Sequence, residues 1–263
     1  LINDIQLVGD ADTKLKNLGQ IREILTVRSP NLLGSLGPYV FELMLDPSVR
    51  IRKFLLQFSG EALSKDKSLV ANVVNLYNYY MSDSSENVIK PLLLDFSKQY
   101  CKLTLAVAAM RQSGAKGAVD PVHLWKQLQE LVNFSVDIIA RSKSELVRTN
   151  ALKCVESVLM FGLESNPVSA DPRRKVVPKS SSAGPSSADI PMHHPFIDRQ
   201  KLEQSADEIF CELELWAVLG GSKENPFSPG QMATIGQIII KVCESRAKFR
   251  IRALKAVHAL ISG

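Results

Sequence analysis

Apolar residues recur at helical spacing in one segment after another along this chain, and short polar turns separate the segments. Alternation of period two, bounded by Asn-Gly or Asp-Gly turns, is nearly absent, so the pattern predicts an all-α protein. The first helix is predicted over 12–27, with Leu15, Leu18, Ile21, Ile24 and Leu25 on one face. A second follows over 32–45, where Pro38 predicts a kink or a start near Gly37. Further helices are predicted over 68–81, 88–110, 121–141, 146–163, 198–219 and 231–245, and a last one begins at Arg250.

The helix that follows 32–45 has the clearest start. Asp46 is placed to accept backbone N–H groups there, and Pro47 suits a first turn, where no amide bond is lost. Val49, Leu55, Leu56 and Leu63 are predicted to face inward, while Arg50, Arg52 and Lys53 stay wet. The stretch from Arg50 returns in the one from Val88, displaced by 38 positions, and a third relative runs from Leu146 after the turn 142–145. A period of this size belongs to stacked helix pairs, none of which buries enough surface alone. Asp in the turn and Arg or Lys early in the next helix resembles the HEAT-type repeat, through Asp46 with Arg52 and, more loosely, Glu145 with Arg148. The expected fold is therefore an α-solenoid of stacked antiparallel helix pairs, a HEAT/armadillo-like superhelix. It is expected to form one domain over 1–263, interrupted by a Pro/Ser-rich loop at about 164–196.

Composition changes little in this picture. The chain is 45% hydrophobic and 22% charged, as in ordinary globular domains. No apolar run approaches the roughly 18 residues of a membrane span. No basic-then-apolar leader opens it, and a start at Leu1 rather than Met reads as a fragment of something longer. Cys101, Cys154, Cys211 and Cys243 lie far apart inside apolar helical patterns, so they read as buried, reduced thiols rather than zinc ligands. A net charge of +5 permits an acidic partner without requiring one.

Candidate chemistry is sparse. The neighbours His193 and His194 diverge and lack an acidic or cysteine partner nearby, and His123 and His258 fit helix positions, so no metal or other cofactor is expected. The glycine stretches at 114–117 and 220–223 follow no strand and do not match a phosphate loop. No nucleophile or acid–base constellation stands out, so the protein is not expected to be an enzyme. Basic residues, among them Arg173, Arg174 and Lys175 in the Pro/Ser-rich segment, offer a loop contact to RNA. The aromatics fall mostly on core positions, however, which disfavours direct RNA reading.

Several stretches together resemble the N-terminal HEAT-repeat domain of the symplekin family. They are 49–54, 147–156 and, after the Pro-rich loop, 190–197 with the helix ending near Leu219. The middle element, Val147-Arg148-Thr149-Asn150-Ala151-Leu152-Lys153-Cys154-Val155-Glu156, is the most specific. The resemblance implies a nuclear, non-enzymatic scaffold of mRNA 3′-end cleavage and polyadenylation. Its concave face would dock the phosphatase of the RNA polymerase II C-terminal tail and support its activity, alongside other 3′-end-processing subunits. Lys153 matches a lysine of the family's phosphatase-binding surface, with Arg148 and Glu156 on the same helix as further contacts. The competing readings are a general HEAT/armadillo adaptor of transport or trafficking and a basic-surface RNA-binding solenoid.

Overall fold

The computed structural model describes residues 10–112, 120–164, 199–245, 249–252, 254 and 258. They fall into two compact units, one up to Val158 together with 221–231, the other from Leu159 to Gly220 and from Met232 onward. Among the described residues lie nine α-helices of 9 to 27 residues: α1 (Ala11–Glu23), α2 (Leu33–Phe41), α3 (Val49–Lys65), α4 (Val70–Tyr80), α5 (Glu86–Gln112), α6 (Pro121–Arg141), α7 (Glu145–Glu164), α8 (Arg199–Leu219) and α9 (Pro229–Ser245). Among those residues the only extended pairing is an isolated bridge between Gly221 and Pro226. The fold is the all-α solenoid type that the hydrophobic pattern predicts.

In the first unit the helices form two layers. α2, α4 and α6 pack in sequence along one layer, and α3 and α5 pack along the other, with α1 against α3. α7 extends the second layer: Asn150 Nδ2 donates to the Lys90 carbonyl at 3.0 Å and Cys154 Sγ to the Leu93 carbonyl at 2.8 Å. Each member of the first layer returns into the second through a short capped turn, which makes the pairs antiparallel. Leu55, Val73, Leu76, Val88, Leu103, Leu128, Val147 and Leu152 are buried between the layers. Each such side chain contributes on the order of 1.5–3 kcal/mol relative to exposure.

The caps explain the turns. Asp46 Oδ1 accepts the Ser48 amide, Asp66 Oδ1 that of Ser68, and Asp83 Oδ1 that of Ser85, each at 2.8 Å. Asp120 Oδ1 accepts from Val122 at 2.9 Å, and Ser142 Oγ plays the same part for Ser144 at 3.2 Å. A short side-chain acceptor two positions before the receiving amide fixes the turn and satisfies an N–H that the helix leaves open. α8 stops at Gly220, whose φ of 63° begins a left-handed pair with Gly221 at 98°.

Several local expectations change. α1 continues through a π turn, Ile24–Arg28, and α2 passes through Pro38 before tightening into the 3-10 turn Glu42–Leu45. Pro47 precedes α3 rather than opening it, because Ser48 is the cap. Ile51 is fully buried in place of Val49, which is half-exposed. α9 starts at Pro229, not Gln231. Cys101 and Cys211 are exposed, against the expectation of four buried thiols, because they fall on the outer sides of α5 and α8. The segment 165–198, with most of the Pro/Ser-rich stretch and His193-His194, lies outside the described residues, as does 113–119.

Candidate partner-binding surface

The second layer presents a surface built on three helices. α5 is flanked by α3 and α7 and backed by α4 and α6, so its exposed residues open outward. Lys98 and Lys102 are exposed on α5, Lys53 on α3 and Lys153 on α7. Arg50 and Arg22, by contrast, are engaged with Asp12 and Glu61. The surface therefore carries lysines on three successive helices. Lys98 and Lys102 were not among the basic residues singled out from sequence, although their spacing of one helical turn was a signal for a shared face.

Lys153 stands on a fixed base. Its neighbours Leu152, Cys154 and Val155 are buried, and Asn150 and Cys154 anchor the helix to α5 on either side of it. Burial pushes the Cys154 thiol up to about 12, so it acts as a packing and hydrogen-bonding group and not as a nucleophile. Glu156 is half-buried nearby. The three residues that sequence places together are thus separated by environment. Lys153 faces solvent, whereas Arg148 is only 6% exposed. Arg148 donates from NH1 to the Asn225 carbonyl at 3.1 Å and lies 5.5 Å from the centre of the Phe227 ring. Arg173, Arg174 and Lys175 lie outside the described residues.

Arg52 is also not wet. Its side chain is 13% exposed and binds Asp83 through Nε at 2.7 Å and NH2 at 3.2 Å. NH1 donates to the carbonyls of Asp46 and Pro47. Lys14 reaches the same turn, 2.7 Å from Asp46 Oδ2. These cations tie one capped turn to the next along the edge of the stack. Two clefts open there. One, of about 530 Å³, is lined by Leu45, Pro47 and Tyr79; the other, of about 360 Å³, by Ile89, Ile138 and Ser142.

Beneath the surface lies a buried polar cluster. Tyr77 and Ser59 both donate to Asp95 Oδ2, Ser59 at 3.1 Å. Burial raises the Asp95 carboxyl above its ordinary range despite these donors, and burial also raises Tyr77. The cluster joins α3, α4 and α5 and makes the layer contact specific. Among the described residues no group of three or more His, Cys, Asp and Glu side chains is arranged to hold a metal ion. His123 is exposed on α6. No helix among the described residues is long and apolar enough to cross a membrane.

A two-layer stack of antiparallel helices with a lysine-bearing face defines the class: a helical-repeat domain. The family model for the symplekin/PTA1 N-terminal region matches residues 85–261, and the chain belongs to that family. Membership supports a role in the scaffold of mRNA 3′-end processing, in a family whose domain is generally non-catalytic.

Proposed function

We propose that the face formed by α3, α5 and α7 docks the phosphatase of the RNA polymerase II C-terminal tail and supports its activity during nuclear mRNA 3′-end cleavage and polyadenylation. The observation that carries the reading is Lys153: an exposed cation on a helix pinned to its neighbour directly behind it. A charge held on a preformed surface sets register and steers association without an ordering cost at the moment of binding. Lys53, Lys98 and Lys102 extend the field, which suits an acidic patch on the partner. Glu156 adds a charge of the opposite sign beside Lys153. Arg148 works from behind the surface, through the turn that it holds. The whole chain, 1–263, serves as one repeat domain in this reading, and other 3′-end-processing subunits use surfaces away from this face.

The test is a binding titration of the phosphatase against the domain and its Lys153→Glu variant, with far-UV circular dichroism as a folding control. Loss of binding with the fold intact supports the docking face, and unchanged binding removes it. The same titration with single-stranded RNA addresses the basic-surface alternative. Tight RNA binding that falls steeply with salt and depends on Arg173, Arg174 and Lys175 would favour that alternative instead.

A further inference from the structure

Among the described residues Arg148 is a buried cation without a counter-charge. It is 6% exposed, it donates to the neutral Asn225 carbonyl, and its Nε has no acceptor among the described residues. The Phe227 ring supplies the other contact. A guanidinium so placed gains less than it loses on leaving water, unless an anion joins it.

The residues next to Phe227 are Ser228 and Pro229. Ser228 caps α9 in a reciprocal box: its amide donates to Gln231 Oε1 at 3.1 Å, and the Gln231 amide donates to Ser228 Oγ at 3.4 Å. Gln231 Nε2 in turn donates to the Glu145 carbonyl at 3.0 Å, which seats the start of α9 against the first turn of α7, where Arg148 resides. The Ser228 hydroxyl therefore stands at the amino end of a 17-residue helix and beside the ring that covers Arg148. The turn around it is accessible. Ser222, Lys223, Glu224, Pro226, Pro229 and Gly230 are exposed, and Ser228 is half-exposed. Serine followed directly by proline is what a proline-directed kinase reads, and Pro226 and Pro229 both disfavour helix in the residues that precede them.

We propose that Ser228 is a phosphorylation site for a proline-directed kinase and that Arg148 receives the phosphate. In the kinase the Ser228 hydroxyl oxygen bonds to the γ-phosphorus of ATP and the bond to the ADP oxygen breaks. ADP leaves, and the hydroxyl proton passes to the kinase's base. The product oxygens meet the Arg148 guanidinium, whose Nε has no acceptor among the described residues. The modification thereby clamps the turn 221–231 onto the helix that carries Lys153, whatever binds at Lys153.

The experiment treats the domain with ATP and a proline-directed kinase, maps the site by mass spectrometry, and follows the phosphate by ³¹P NMR titration and the turn by hydrogen exchange. Phosphate should appear on Ser228 and be absent in Ser228→Ala. Its second ionisation should fall below that of the same phosphopeptide free in solution, and exchange over 222–231 should slow by about tenfold. An Arg148→Lys variant should keep part of the slowing and Arg148→Gln should lose it. No phosphate on Ser228, or a phosphate that titrates like the free peptide with exchange unchanged, would overturn the proposal, and that result needs no variant to fold.

Discussion

Arg52 and Arg148 occupy the same slot in two helix pairs, six positions after the residue that caps the turn, yet they are held differently. Arg52 meets a carboxylate on the next turn, Asp83, and two carbonyls of its own turn. Arg148 meets one carbonyl of the turn 221–231 and an aromatic ring. The repeat therefore fixes where the cation goes and not what receives it. For Arg52 the receiver is a carboxylate; for Arg148 the described residues supply a carbonyl and a ring.

The largest expected effect follows from breaking the paired link. Arg52→Ala strands the Asp83 carboxylate, which is 5% exposed, and two carbonyls. Unfolding in urea should report a loss of about 3 kcal/mol. Arg148→Ala leaves no buried charge behind and should cost only about 1 kcal/mol, with faster hydrogen exchange confined to 221–231 and the start of α7. Equal losses at the two positions would break the comparison.

Asp95 is the half-buried acid of the same layers. Asp95 has donors but no cation as close as that of Asp83, and burial raises its folded-state carboxyl above the ordinary value of 3.8. The folded chain thus holds the Asp95 proton more tightly than the unfolded chain. Its contribution to stability is fully present below the unfolded value and is lost as pH rises through the raised one. Urea midpoints measured from pH 4 to pH 7 should accordingly rise for Asp95→Asn relative to the parent as pH increases. The smallest effect belongs to Arg141, 3.3 Å from Asp137 and 79% exposed. Arg141→Ala should change stability by less than about 0.5 kcal/mol and lose even that in salt.

The helices and turns were legible because their causes are local. Helical spacing and Asp46 as a cap both act within a few residues. The fate of the basic side chains was not legible, because it depends on partners far away in the chain. Arg52 lies 31 residues from Asp83, and Arg148 lies 77 from Asn225. Nothing near either residue distinguishes a solvated cation from a bridging one. Ser142 hid its part for a related reason: a serine caps a turn as well as an aspartate does, so the third turn looked as if it depended on Glu145. The exposure of Cys101 and Cys211 turns on which side of a long helix a neighbour covers, and apolar spacing alone leaves this open when both flanks are apolar. The family resemblance singled out Lys153, which the structure leaves exposed. Lys98 and Lys102 joined it only once α5 was seen between α3 and α7.

Isothermal titration of the phosphatase into the parent domain and Lys153→Glu tests most directly whether this layer docks the polymerase-tail phosphatase through a fixed charge. The parent should bind measurably and more weakly in raised salt, and the variant should lose at least tenfold, about 1.4 kcal/mol or more. Equal affinity for the two proteins, both folded, would contradict it.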